Sequence, residues 1–178
     1  MSKYVAFLRG INVGGHKPVK MDELRKAFEA LGFQNLKTVL ASGNVLFEAP
    51  KAKPLALTRT IESKLEAVFG HKISVLLRSL GEIQELADAR PFQNIKVTPQ
   101  TRLYVTFLSE KPKSELKAPH KSPDKSFTIL RVSSSEVCSV LTLSPKAQTT
   151  DLMEFLEKVF GRNVTTRNWN TINRILEC

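Results

Sequence analysis

Hydrophobic positions in the first half of the chain change period several times, and each change predicts a new element. A nearly continuous apolar run near the N-terminus suits a strand that is buried on both faces. Two amphipathic helices end at Gly32 and Gly70, and short runs around a Ser-Gly-Asn turn predict a hairpin. The intervals are strand 3–10, a helix with Met21, Leu24, Phe28 and Leu31 on one face, strands 36–41 and 45–48, a helix with Leu57, Ile61, Leu65 and Val68 on one face, and strand 73–78.

This order is βαββαβ, the split βαβ arrangement of a ferredoxin-like plait. Ser79 and Glu82 have the spacing of a capping box and open a connecting helix that ends before Pro91. The stretch that follows, residues 91–101, is the best candidate for a linker.

The second half repeats this plan in a looser form. Its predicted elements are strand 102–108, hairpin strands 127–132 and 136–143, a helix that ends at Gly161, a short strand near Val164 and a final helix with Trp169, Ile172 and Ile175 on one face. We therefore predict an α+β protein of two ferredoxin-like plaits packed together, with a C-terminal helix. The predicted domains are residues 1–90, including the connecting helix, and residues 91–178.

Charge narrows the class of partner more than composition does. The formal net charge is +10, which favours anionic partners such as nucleic acid, nucleotides or an acidic protein. The excess is shared equally, with 14 basic and 9 acidic residues in 1–90 and 13 and 8 in 91–178. No apolar run approaches the ~18 residues of a membrane span, and two cysteines do not make a disulfide framework. We expect a reduced, cytoplasmic setting and no membrane partner.

The glycine-rich loop "RGINVGG" (9–15) is the first candidate for chemistry. In a split βαβ unit this loop lies at the same end of the sheet as the "SGN" hairpin turn (42–44), so glycine-lined amides and basic groups converge on one edge. The predicted anion-binding residues there are Arg9, Gly10, Asn12, Gly14, Gly15, Lys20, Ser42, Gly43 and Asn44, with Lys17 nearby. The alternative is that the same residues only turn the chain. The spacing matches neither a dinucleotide-binding loop nor a P-loop.

The stretch "TTRNWNT" (165–171) is the second candidate. In one interpretation Thr165, Thr166 or Asn168 caps the last helix and Trp169 is buried. In the other, Arg167, Asn168 and Asn170 are exposed at the helix N-terminus and Trp169 stacks on a base. The five lysines between 111 and 125 likewise predict either a solvated loop or a flap that contacts a polyanion.

Metal and nucleophile chemistry is not indicated. The three histidines, His16, His71 and His120, are scattered and have no metal-ligand spacing. No Cys-His or Ser-His-Asp grouping is legible, so we predict neither a metal nor another cofactor.

Three motifs, "YVAFLRGINVGG", "SGNVLF" and "TTRNWNT", resemble in this order and spacing the domain of unknown function 1697 family of small bacterial proteins. The resemblance extends from Tyr4 to Leu176 and implies a two-plait α/β architecture. It also implies that the following residues occupy the family's motif positions: Arg9, Gly10, Asn12, Gly14, Gly15, Ser42, Gly43, Asn44, Thr166, Arg167, Asn168 and Trp169. It supplies no reaction, substrate or cofactor.

Two functions compete on these observations. The first is a binding protein for nucleic acid or a nucleotide-like anion at the glycine-rich loop edge, with Arg167, Asn168 and Trp169 as further ligand-binding residues. The alternative is an enzyme that acts on a small phosphorylated or carboxylated substrate at the same edge, for which His16 is the nearest candidate base. A pure interaction module, which needs an exposed apolar patch, is the third hypothesis.

Overall fold

A computed structural model of the chain describes residues 1–12 and 18–178. Its contacts divide the chain into two units. Unit 1 comprises Met1–Glu85 and Asn173–Cys178, and unit 2 comprises Leu86–Ile172. Each unit is built on one antiparallel sheet, so the predicted α+β architecture of two plait-type halves is confirmed. No helix in the described part of the chain is both long and apolar enough to cross a bilayer.

Unit 1 is a complete βαββαβ plait. Its elements are β1 (Ser2–Leu8), α1 (Met21–Glu29), β2 (Gln34–Val39), β3 (Asn44–Ala49), α2 (Pro54–Phe69), β4 (Val75–Ser79) and the start of α3 (Leu80–Asp88). Its sheet has the strand order β2-β3-β1-β4, and every neighbouring pair is antiparallel.

The two helices of unit 1 cover one face of its sheet. Alternate residues of β1 face them, and Phe28 of α1 packs edge-on against Phe47 of β3 with ring centroids 5.3 Å apart. The apolar face of α2 was predicted to consist of Leu57, Ile61, Leu65 and Val68. The last of these is wrong, because Val68 is 46% exposed. The face defined by Leu57, Ile61 and Leu65 repeats every four residues, and its next member is Phe69, which packs against the core.

Unit 2 repeats the sheet of unit 1 with one added strand and lacks the first helix of the plait. Its elements are β5 (Thr101–Leu108), β6 (His120–Lys121), β7 (Phe127–Val132), β8 (Glu136–Thr142), α4 (Thr149–Phe160), β9 (Val164–Asn168) and the start of α5 (Trp169–Leu176). The strands β7-β8-β5-β9 have the order of the four strands of unit 1, and β6 is added at the edge. Residues 109–119 form no helix; they carry Leu116 to the core and lead into β6.

The central strands of the two sheets are near copies of each other. Residues 4–8 read Tyr-Val-Ala-Phe-Leu and residues 104–108 read Tyr-Val-Thr-Phe-Leu. Their registers also match, since Val5 pairs with Arg78 on β4 and Val105 pairs with Arg167 on β9. The second half was predicted to repeat the order of elements of the first. It also repeats the register of the central strand and the Tyr-Val-x-Phe-Leu sequence of that strand.

The division of the chain differs from the predicted domain boundary in two places. The first unit ends at Glu85 instead of residue 90, within α3, and the last six residues belong to unit 1. One bond that ties this terminus to unit 1 runs from Lys37 Nζ to the backbone oxygen of Cys178, at 3.0 Å. The capping box of α3 forms as predicted: Ser79 N donates to Glu82 Oε2 at 2.7 Å and Glu82 N donates to Ser79 Oγ at 3.1 Å.

Candidate anion-binding site

Three segments of unit 1 meet where β1 ends. The backbone N–H of Leu8 donates to the Gly43 carbonyl at 2.8 Å, and that of Arg9 donates to the Ser74 carbonyl at 2.9 Å. The first bond joins β1 to the β2–β3 turn, and the second joins it to the residue before β4. The geometric prediction that the loop after β1 lies beside the hairpin turn is confirmed.

Asn12 closes the base of the glycine-rich loop. Its amide nitrogen donates to the carbonyls of Val19 (3.1 Å) and Ala41 (2.9 Å), and its amide oxygen accepts from the Val19 N–H (2.8 Å). The residue has a φ of +55°, a left-handed conformation in which asparagine is enriched. These three hydrogen bonds, the Asn12 clamp, join Asn12 to Val19 and to Ala41 in the β2–β3 turn.

Gly43 lets the hairpin turn approach β1 closely. Its φ is +88°, and a Cβ at this position would lie 2.6 Å from Ile11 Cδ1 and 3.0 Å from Leu8 Cβ. No ordinary Cβ contact is as short as the first of these distances, so glycine is required here for both backbone conformation and space.

Asn44 is completely buried. Its amide nitrogen donates to the Val39 carbonyl at 2.7 Å and to Ser42 Oγ at 3.0 Å. These bonds are made inside the β2–β3 turn, so Asn44 organises the turn that supports the edge. Asn44 is a predicted ligand-binding residue, but its buried side chain positions the turn. Ser42, which accepts one of its hydrogen bonds, is exposed.

Two cationic side chains flank the loop. Arg9 is half-buried after β1, and Lys20 is exposed immediately before α1. Gly10, between Arg9 and the Asn12 clamp, has a φ of +66° and open space where a Cβ would lie. Gly14, Gly15, His16 and Lys17 lie outside the described residues.

The N-terminus of α1 contributes little positive potential at this edge. Lys20 precedes the helix without a side-chain cap, and Asp22 and Glu23 occupy the first turn. These carboxylates offset the positive end of the helix dipole. Among the predicted site residues that the structure describes, Arg9 and Lys20 therefore carry the positive charge at this edge.

The "TTRNWNT" stretch follows the capped-helix interpretation. Asn168 Oδ1 accepts the N–H of Asn170 at 2.9 Å, which is N-cap geometry for α5. Trp169 is half-buried and packs edge-on against Phe92, with ring centroids 5.1 Å apart. The other interpretation, in which Arg167 is exposed, is wrong, because this residue lies on β9 and is 9% exposed. Burial lowers the pKa of Arg167 to about 10.

Arg167 is buried because residues 164–168 form the strand β9, which pairs with β5, instead of an exposed segment before α5. Thr166 on this strand shares a 2.8 Å hydroxyl–hydroxyl bond with the fully buried Thr106 of β5. The strand register then places Arg167 opposite Val105, whose side chain is also fully buried. Thr165 and Thr166 therefore serve the sheet, and the capping role falls to Asn168.

The groups that complete the edge were not identifiable from the sequence. The carbonyl of Ala41, the backbone of Val19 and the buried side chain of Ile11 all contact predicted site residues. Hydrogen bonds to main-chain atoms do not depend on residue type, so the sequence does not reveal them. Of these contacts, only the close approach of the hairpin turn to Ile11 is indicated by a residue type, the glycine at position 43. Within the described residues, no three His, Cys, Asp or Glu side chains cluster as a metal site would require.

A solved structure supports the fold along the whole chain. The conserved bacterial protein SP0830 from Streptococcus pneumoniae matches with a TM-score of 0.72 and 23% sequence identity, covering 99% of this chain and 97% of that one. At this identity the likeness concerns the fold alone. No curated protein matches the chain.

The family assignment comes from the sequence. The family model described as "Protein of unknown function (DUF1697)" matches residues 1–137. The matched region contains the glycine-rich loop and the hairpin-turn motif, and it ends before the "TTRNWNT" stretch. The match is therefore shorter than the predicted extent of the resemblance, from Tyr4 to Leu176. Because the match covers well over half of the 178 residues, the chain belongs to the DUF1697 family.

Proposed function

We propose that the protein binds a nucleotide-like anion through its phosphate at the edge of unit 1 formed by Arg9, Asn12, Lys20 and the β2–β3 turn. The observation that carries this proposal is the Asn12 clamp. Its three hydrogen bonds hold Asn12 and Val19 beside the β2–β3 turn, and two cationic residues, Arg9 and Lys20, lie nearby in the sequence. Residues that are already fixed in this way lose little conformational entropy when an anion binds beside them.

A small anion is favoured over a nucleic acid. Base stacking needs an accessible aromatic face, but the ring of Trp169 packs on Phe92, and Arg167 beside it is buried. A nucleic acid would then depend on phosphate contacts alone, including the exposed lysines of residues 111–125. The enzyme hypothesis rests on His16, which lies outside the described residues, so binding is the proposed activity. Two free cysteines agree with a cytoplasmic protein.

Calorimetric titration of the full chain with inorganic phosphate and with AMP tests this proposal. Because a charge-assisted hydrogen bond contributes about 1.5–3 kcal/mol, Arg9→Ala and Lys20→Ala should each weaken both affinities by about tenfold or more. The matched control is Lys26→Ala, which removes an exposed lysine from the other end of α1. Unchanged affinities in both edge variants would refute the proposed site.

A salt series with short labelled DNA and RNA separates the two anion classes. A phosphate pocket should bind these oligonucleotides weakly. Affinity that is micromolar or tighter and falls steeply with salt would instead show that a phosphate backbone is the ligand.

A further inference from the structure

An open surface cavity of about 320 Å³ lies between α2 and the segment that enters β4, and five of its seven lining residues are exposed. Six of its lining residues are polar or charged: Arg59, Glu62, Ser63, Glu66, Lys72 and Ser74. Its volume lies at the lower end of the range for small-molecule sites, which is about 300–1,000 Å³. The predicted site residues include none of these positions.

The cavity borders the proposed anion site through Ser74. This residue lines the cavity, and its carbonyl accepts the backbone N–H of Arg9 at 2.9 Å. The next residue, Val75, pairs with Leu8 at the end of β1. Ser74 therefore joins the wall of the cavity to the backbone of Arg9, at the end of the sheet where β1 ends.

The lining favours hydroxyl groups over an aromatic ring. Two carboxylates, Glu62 and Glu66, face the space together with two cations, Arg59 and Lys72. Glu62 is fixed in place, because its Oε1 accepts the Val75 N–H at 2.8 Å. Among the described residues, no salt bridge engages Arg59, Glu66 or Lys72. Carboxylates that accept hydrogen bonds from sugar hydroxyls are a common means of recognising ribose.

From this geometry we propose that the cavity binds the hydroxyl-bearing sugar of a phosphorylated ligand, with Glu62 and Glu66 accepting from its hydroxyls. The inference rests on the proposed function, which supplies the phosphate contact. The shared chemistry is a pentose phosphate, which occurs both as a free sugar phosphate and within a nucleotide.

Calorimetry with inorganic phosphate, ribose 5-phosphate and AMP tests the inference on the full chain. Ribose 5-phosphate should bind about tenfold tighter than inorganic phosphate, the contribution expected of hydrogen bonds from hydroxyls to a carboxylate. Glu66→Ala should remove this preference while the affinity for inorganic phosphate stays the same. The control is Glu154→Ala, an equal change of charge at an exposed position of α4.

The outcomes separate the two proposals. Equal affinities for ribose 5-phosphate and AMP would support a sugar phosphate as the recognised unit, whereas tighter binding of AMP would support a nucleotide. If phosphate binds and depends on Arg9 but ribose 5-phosphate has no advantage, the cavity assignment is overturned and the anion site stands. If phosphate binding does not depend on Arg9 or Lys20, the proposed function itself fails.

Discussion

Replacement of Gly43 by alanine isolates the close approach that builds the edge. The new Cβ would lie 2.6 Å from Ile11 Cδ1 and 3.0 Å from both Ile11 Cγ1 and Leu8 Cβ. Ile11 Cδ1 is the end of a side chain and can shift, but Leu8 Cβ is fixed to the backbone of β1. Overpacking of this kind costs about 1–3 kcal/mol, and the left-handed φ of +88° adds about 1–2 kcal/mol for an L-residue. We expect Gly43→Ala to destabilise the protein by about 3 kcal/mol.

Gly10→Ala is the matched control. Gly10 also has a left-handed φ, at +66°, but no heavy atom lies within 4 Å of the position that a Cβ would take. Only the backbone strain remains, at about 1 kcal/mol. With a urea m-value of about 2 kcal/mol/M, the midpoint of unfolding should fall by about 1.5 M for Gly43→Ala and about 0.5 M for Gly10→Ala.

Circular dichroism during urea unfolding measures both shifts. Placing Gly43→Ala in an Ile11→Ala background removes two of the three close atoms, so the penalty for the alanine at position 43 should shrink by about 1 kcal/mol. Equal costs for the two glycine substitutions, or no coupling between positions 11 and 43, would refute the role assigned to this contact.

Three further predictions concern unit 2. Ser139 Oγ is buried in the described structure without a hydrogen-bond partner, so Ser139→Ala should raise the free energy of unfolding by about 1 kcal/mol in denaturant titrations; destabilisation would contradict the unpaired hydroxyl. Burial raises the pKa of the Cys138 thiol to about 12, so a thiol reagent at pH 8 should label the exposed Cys178 in the native protein and reach Cys138 only on unfolding; two equally fast thiols would contradict this. Hydrogen bonds from Ser122 and Ser126 lower the pKa of Asp124 from 3.8 to about 2. Because the folded state favours the charged carboxylate, its stabilisation is present above pH 4 and is lost as the pH falls towards 2. Asp124→Asn should reduce the loss of stability on acidification over this range, and an unchanged acid dependence would contradict the prediction.

The fold was predictable wherever periodicity and turn chemistry agree. The plait of unit 1 follows from its strands, its two helices and a Ser-Gly-Asn turn, and the capping box at Ser79 and Glu82 forms with both bonds. The repeated Tyr-Val-x-Phe-Leu motif is visible in the sequence, and it marks the equivalent central strands of the two units. Val68 was misplaced because a helix end has several similar apolar candidates, and packing selects Phe69.

The candidate site was less predictable, because its contacts are made through space and to the main chain. Topology alone correctly placed the loop after β1 beside the hairpin turn. The role of Asn12 depends on carbonyls of Val19 and Ala41, which no residue type encodes. One of the two interpretations of residues 165–171 exposed Arg167 at a helix end, yet the pairing of β9 with β5 buries it opposite Val105. In both cases tertiary pairing decided what local sequence left open.

Binding of inorganic phosphate to the wild-type chain, Arg9→Ala, Lys20→Ala and Lys26→Ala tests the central claim most directly. If the edge of unit 1 is an anion site, the wild type and Lys26→Ala should bind phosphate equally, and the two edge variants should each lose about tenfold in affinity. Equal affinity in all four proteins would contradict the account and leave the Asn12 clamp as a structural device alone.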